Sequence, residues 1–186
     1  SSEVALTSQG DSDISLADVT NDATGGTAAD LTLSAEGGVT LPAVSLDDTT
    51  DGSLSVTVDS NDNEAQTLTY SGGITNVNEV TFSGGGPGAS DTIDIDADLT
   101  TTGGALTVED AATVQVSDVT LTGEGGVDFS DGDIVTFDLD GAGTVSFVSS
   151  SGDVDLSGAA ITDSANISEL DVDASTAATL PAITLD

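Results

Sequence analysis

The chain has 186 residues, of which 34 are Asp or Glu and none is Lys, Arg or His, so its formal net charge is −34 at pH 7. Nucleic acids and anionic lipid surfaces are excluded as partners, because both are bound through Lys and Arg side chains. No apolar run is long enough for a membrane-spanning helix, and without Cys the chain forms neither disulfides nor thiolate metal sites. Like charges at this density repel one another, so we expect a location outside the cell or on its surface, where salt or divalent cations screen them.

Short blocks of alternating apolar and polar residues follow one another along the chain. A period of two predicts short β-strands with one buried face, and the Thr-rich polar positions agree with this. Only Ala159–Leu170 has an apolar spacing that would also suit a helix. In chain order, the alternating apolar residues are Leu31 and Leu33; Leu54, Val56 and Val58; Ile93 and Ile95; Leu106 and Val108; Val114 and Val116; Val119 and Leu121; Val135, Phe137 and Leu139; Val145 and Phe147; and Val154 and Leu156.

Turn signals separate these blocks, because Gly, Asn and Asp tolerate the positive φ that tight turns require. The spacing leaves room for one or two short strands between successive turns. The signals are Gly25-Gly26, Gly37-Gly38, Asp51-Gly52, Gly72-Gly73, Gly84–Gly86, Gly103-Gly104, Gly125-Gly126, Asp131-Gly132, Gly141–Gly143 and Ser151-Gly152.

An internal repeat relates distant parts of the chain. Leu31–Asp47 aligns without gaps to Leu170–Asp186 with eight of 17 residues identical, and Val119–Ser130 matches Leu31–Pro42 at six of 12 positions. The copies are unevenly spaced, which is typical of a degenerate repeat. The repeat predicts that 1–186 is one continuous β-repeat segment and a window on a longer array.

Two architectures suit short strands with regular turns. In a parallel β-solenoid (β-helix), stacked coils share a thin core of Val, Leu and Ile, which agrees with the small number of aromatic residues. One or two antiparallel Ig-like sandwiches are the alternative, but they usually need longer strands and an aromatic anchor. The sequence therefore favours the all-β parallel solenoid.

Catalysis is disfavoured by the residue inventory. Without His, Lys, Arg and Cys, the chain lacks the common general bases, the nucleophile triads and the clamps of phosphoryl transfer. A carboxylate pair of the glycosidase type remains as an alternative, although sugar sites also use aromatic platforms that this chain barely has. The sequence predicts that the protein is not an enzyme.

Calcium is the cofactor that the acidic residues favour, because it takes six to eight oxygen ligands from carboxylates, carbonyls and water. Three groups of acidic residues lie at or beside predicted turns and strands. The candidate metal ligands are Asp59, Asp62 and Glu64; Asp91, Asp94, Asp96 and Asp98; and Asp128, Asp131 and Asp133.

One stretch resembles a known family. Gly85-Gly-Pro-Gly-Ala-Ser-Asp91-Thr-Ile93 is similar to the calcium-binding nonapeptide of RTX proteins, with one additional residue before Asp91 and no tandem copies. The Gly-Gly-Val-Thr-Leu and Thr-Leu-Pro-Ala units, with the Thr/Asp-rich strands, also resemble the β-strand repeats of very large secreted bacterial surface proteins and adhesins. The resemblance implies a calcium-bound parallel β-roll or an extracellular repeat array.

The function we expect is structural or adhesive: a filament, stalk or surface coat, built by end-to-end or lateral stacking of copies and stabilised by divalent cations. The alternative is a discrete calcium-dependent module that binds a partner or a glycan. Thr-x-Thr pairs at Thr67/Thr69, Thr100/Thr102 and Thr120/Thr122 suggest an ice-binding face, but their uneven spacing favours plain β-propensity.

Overall fold

The computed structural model describes residues 2–20, 29–59, 61, 64–85, 90–163 and 167–184. These residues form strands and turns, with no helix among them. Every strand pairing in the described part is parallel, as in Leu31–Ser34 against Leu54–Thr57. The predicted parallel β-solenoid is confirmed, and the antiparallel sandwich alternative is wrong.

The strands are short except where two of them bend around a corner. In chain order they are β1 (Ser2–Thr7), β2 (Ile14–Ser15), β3 (Val19–Thr20), β4 (Ala29–Ser34), β5 (Val39–Leu41), β6 (Val44–Thr57), β7 (Thr67–Tyr70), β8 (Ile74–Ser83), β9 (Thr92–Ile95), β10 (Leu99–Thr101), β11 (Ala105–Glu109), β12 (Thr113–Val116), β13 (Thr120–Thr122), β14 (Gly126–Asp128), β15 (Thr136–Leu139), β16 (Thr144–Ser149), β17 (Val154–Asp155), β18 (Ile161–Asp163), β19 (Glu169–Ala174), β20 (Ala178–Thr179) and β21 (Ile183–Thr184).

The strands stack into three faces, which the chain visits in the same order in each coil. The first face contains β1, β4, β11, β14, β17 and β20, and the third contains β3, β10, β13, β16 and β19. The long strands β6 and β8 cross from the third face to the first. The second face is a separate eight-stranded sheet of β2, β5, β7, β9, β12, β15, β18 and β21.

The core is a set of apolar, mostly aliphatic columns inside the three faces. On the second face, Val39, Leu68, Ile93, Val114 and Phe137 occupy one register position in successive coils, and all are buried. Alternation within each strand turns these residues inward and their Thr, Ser and Asp neighbours outward. The sequence pattern thus builds one apolar core along the solenoid axis.

Three phenylalanines pack together in the core within the C-terminal half of the chain. The rings of Phe129 and Phe137 are stacked with centroids 5.5 Å apart, and Phe147 meets both edge-on at 5.8 and 5.9 Å. All three are fully buried, and they come from the corner after β14, from β15 and from β16. Rings at these distances add to the stability that burial alone provides.

Three local predictions differ from the structure. The Asp51-Gly52 turn signal lies inside β6, where the strand bends between two faces and its register with β8 shifts. Val135, expected to point inward, is 78% exposed, and the adjacent Ile134 is buried instead. The segment Ala159–Leu170 forms β18 and the start of β19 in its described part, so its helix-like spacing has no helical counterpart there.

The repeat copies occupy different faces of the solenoid. Leu31–Leu33 of the first copy lies on the first face, whereas the aligned Leu170–Val172 lies on the third. The next strands are displaced in the same way, because β5 of the first copy belongs to the second face and β20 of the other to the first. The repeating unit is therefore one strand with its corner, not one complete coil.

The corner at Gly72 has no room for a side chain. A Cβ atom there would lie against the Ala43 amide nitrogen and 2.8 Å from its Cα atom. We expect Gly72→Ala to lower the free energy of unfolding by about 1–3 kcal/mol, because the backbone of the neighbouring coil must move. Chemical denaturation measures this. Gly132→Ala is the matched control, since a Cβ there meets no atom within 4 Å; equal losses in both variants would contradict the close coil packing.

Candidate functional site

The corner between the first and second faces brings three carboxylates together. Asp110 follows β11 and Asp131 follows β14, and each lies four residues after the paired residues Leu106 and Val127. One carboxylate oxygen from each of Asp110, Asp131 and Asp133 lies within 4.8 Å of the others, and these three residues form what we call the acidic corner. Among the residues described, this is the one group of three acidic side chains close enough to share a cation.

Backbone hydrogen bonds hold the middle carboxylate of this acidic corner in place. Asp131 Oδ2 accepts from the Asp110 amide at 2.7 Å, and Asp131 Oδ1 accepts from the Asp133 amide at 3.0 Å. Asp110 has a φ of 53°, a left-handed conformation that Asp tolerates better than most residues. The carboxylates of Asp110 and Asp131 are half-buried and that of Asp133 is exposed, so a cation would reach them from solvent.

The acidic corner also raises the pKa of a neighbouring carboxyl group. Burial raises the pKa of Glu109 above its ordinary value, and the charges of Asp110, Asp131 and Asp128 raise it further. No basic side chain exists in the chain to offset these charges. A hard cation with oxygen ligands, such as calcium, suits this arrangement chemically.

The structure brings together two of the three residues that the sequence analysis grouped at this corner. Asp131 and Asp133 belong to the acidic corner, but Asp128 does not: its Oδ1 accepts hydrogen bonds from the amide and hydroxyl of Ser130. Asp110 was missed because it belongs to the preceding coil, 21 residues earlier in the chain. The local signal that could have indicated Asp110 is its place directly after the alternating residues of β11, where a turn usually begins.

The predicted group of Asp94, Asp96 and Asp98 does not converge. Asp94 is half-buried on the outer side of β9, whereas Asp96 and Asp98 are exposed in the corner after that strand. Asp98 Oδ1 accepts from the Thr120 amide at 2.8 Å. Burial raises the pKa of Asp94 to about 6, with smaller contributions from the charges of Asp96 and Asp140.

Two further predicted ligands, Asp59 and Asp91, are fully buried between the first and second faces, in coils that precede the acidic corner. Asp59 Oδ2 accepts from the Glu64 amide at 3.1 Å, and Asp91 Oδ1 accepts from the Gln66 amide at 2.7 Å. A buried carboxylate is costly unless hydrogen bonds, a cation or a proton compensate it. Glu64 itself is exposed, and the predicted ligand Asp62 lies outside the described residues.

The segment that resembles the RTX nonapeptide begins at the same corner. Gly85 has a φ of 90°, and a Cβ at this position would meet the backbone of Asp59 in the preceding coil. Ile93 lies in β9, and residues 86–89 lie outside the described part of the chain.

The first face carries an open groove of about 370 Å³. Its floor is low because Ala105 and Gly126, which are neighbours in the ladder, carry little or no side chain. The acidic residues that line it are Asp128, Asp153 and Asp155. The groove is shallow and acidic, which would suit a cation or a polar, hydroxyl-rich or basic ligand.

The comparisons with known proteins identify no relative: no family model, no curated protein and no solved structure matches this chain. The described residues contain no helix with the length and hydropathy needed to cross a membrane.

Proposed function

We propose that this chain is a structural, non-catalytic repeat segment of a secreted or surface protein that builds a filament, stalk or coat. The observation that carries the proposal is the continuous stack of parallel coils around one apolar core. Such a stack depends only on contacts between neighbouring coils, so further coils can be added along one dimension with the same kind of contact. Its outer surface is rich in Thr, Ser and Asp, which keep the rod hydrated.

The absence of His, Lys, Arg and Cys from the sequence supports the non-catalytic part of the proposal. A location outside the cell is supported by the net charge of −34, which needs screening by salt or divalent cations.

The partner in this proposal is a second copy of the chain, stacked end to end. In the described residues, β1, β2 and β3 pair on one side only, as do β19, β20 and β21 at the other end. Apolar side chains are exposed at both ends: Val4 and Leu6 at one, Leu180 and Ile183 at the other. Parallel strands make the two edges complementary, so head-to-tail contacts would continue the ladder into an open filament.

We expect the chain to associate with increasing concentration and to form rods longer than one molecule. The eight-stranded sheet spans about 34 Å at the usual strand spacing, so longer particles in electron micrographs indicate stacking. Val4→Asp should weaken association in sedimentation experiments at least tenfold, because it places a charge at the end of the core. Val135→Asp adds the same charge on the side of the solenoid and serves as the control. A monomer at all concentrations, or equal weakening by both variants, would refute end-to-end stacking.

Calcium is part of the same proposal as a stabilising ion. It is supported by the convergence of Asp110, Asp131 and Asp133 and by the full burial of Asp59 and Asp91 in a chain without basic residues. An ion shared between coils would link consecutive turns of the rod and reduce the repulsion between their carboxylates.

We expect calcium to raise the melting temperature by several degrees over EDTA at equal ionic strength, as measured by circular dichroism. Asp133→Asn should reduce that increase if the acidic corner binds the ion, because it removes the negative charge of an exposed ligand whose side chain holds no part of the fold in place. Asp173→Asn, an exposed carboxylate on β19, is the control. Coincident curves in calcium and EDTA would discard the calcium site, and an unchanged response in Asp133→Asn would place the ion elsewhere.

A discrete calcium-dependent binding module for a partner or glycan is the second candidate. The observation that favours it is the acidic groove over Ala105 and Gly126. Electron microscopy separates the two functions, since a binding module would remain a single particle at concentrations where the filament former gives rods.

A further inference from the structure

We draw no further inference here: the strongest candidate, the in-register row of outward-facing threonines Thr67, Thr92, Thr113 and Thr136 on the second face of the solenoid, is a periodic stripe of small β-forming residues, and nothing in the structure shows what would cover it.

Discussion

Phe137→Ala is expected to lower the free energy of unfolding by about 3–5 kcal/mol, the usual cost of deleting a buried phenyl ring. Phe137 is fully buried in β15 and contacts both Phe129 and Phe147. Its removal would leave a cavity where the three faces of one coil meet, and a thin solenoid core has few neighbouring side chains that can fill it. The loss should therefore lie at the upper end of the range for a core substitution.

Denaturant-induced unfolding, followed by circular dichroism, measures this effect. Val135→Ala is the matched control, because Val135 is two residues away and largely exposed, and it should change stability by less than about 0.5 kcal/mol. Amide hydrogen exchange would show which coils lose stability, since the coils that contact Phe137 should lose protection first. Equal effects of the two substitutions would contradict the inward register of β15.

Acidification from pH 8 to pH 5 is expected to stabilise the protein. The folded-state pKa of Asp94 is about 6, above the ordinary value of 3.8, so the folded chain binds this proton more tightly than the unfolded chain. The free energy of unfolding therefore rises as the pH falls through about 6, and the contribution of Asp94 reaches its full value below about pH 4. The repulsion among the other carboxylates acts in the same direction, since nothing in the chain balances their charge.

Asp94→Asn separates this residue from the general effect of net charge. At pH 8 the variant should be more stable than the natural chain by about 1 kcal/mol, after allowance for the partial exposure of the carboxyl group, and at pH 4 the two should be equal. Asp173→Asn, which removes the same charge from an exposed position, is the control. A difference that does not change with pH, or an Asp94 titration near 4 by NMR, would contradict the assigned pKa.

Both stability effects depend on features that the sequence shows to different degrees. The burial of Phe137 follows from its alternation with Leu139, which is a local property of one strand. The raised pKa of Asp94 depends on its partial burial among outward-facing side chains and on Asp140, which belongs to a later coil. The second effect therefore requires the tertiary arrangement.

The acidic corner shows the same limit. Asp131 and Asp133 were predictable, because they flank a glycine turn and are close in sequence. Asp110 joins them only because the coil between them has 21 residues, whereas the coil from Val44 to Ile74 has 30. Coil length varies with the corners, so no fixed period in the sequence indicates which acidic residues are stacked.

The amino-acid sequence by itself determined that the chain forms short strands with one apolar face, and the small aliphatic residues favoured a parallel solenoid over a sandwich. Alternation is sufficient for this because side-chain direction in a strand repeats every two residues. Only the tertiary structure decided that Asp51-Gly52 bends within a strand, that Ile134 rather than Val135 is buried, and that the repeat copies occupy different faces. These features depend on the register between coils, which the lengths and backbone conformations of the corners set together.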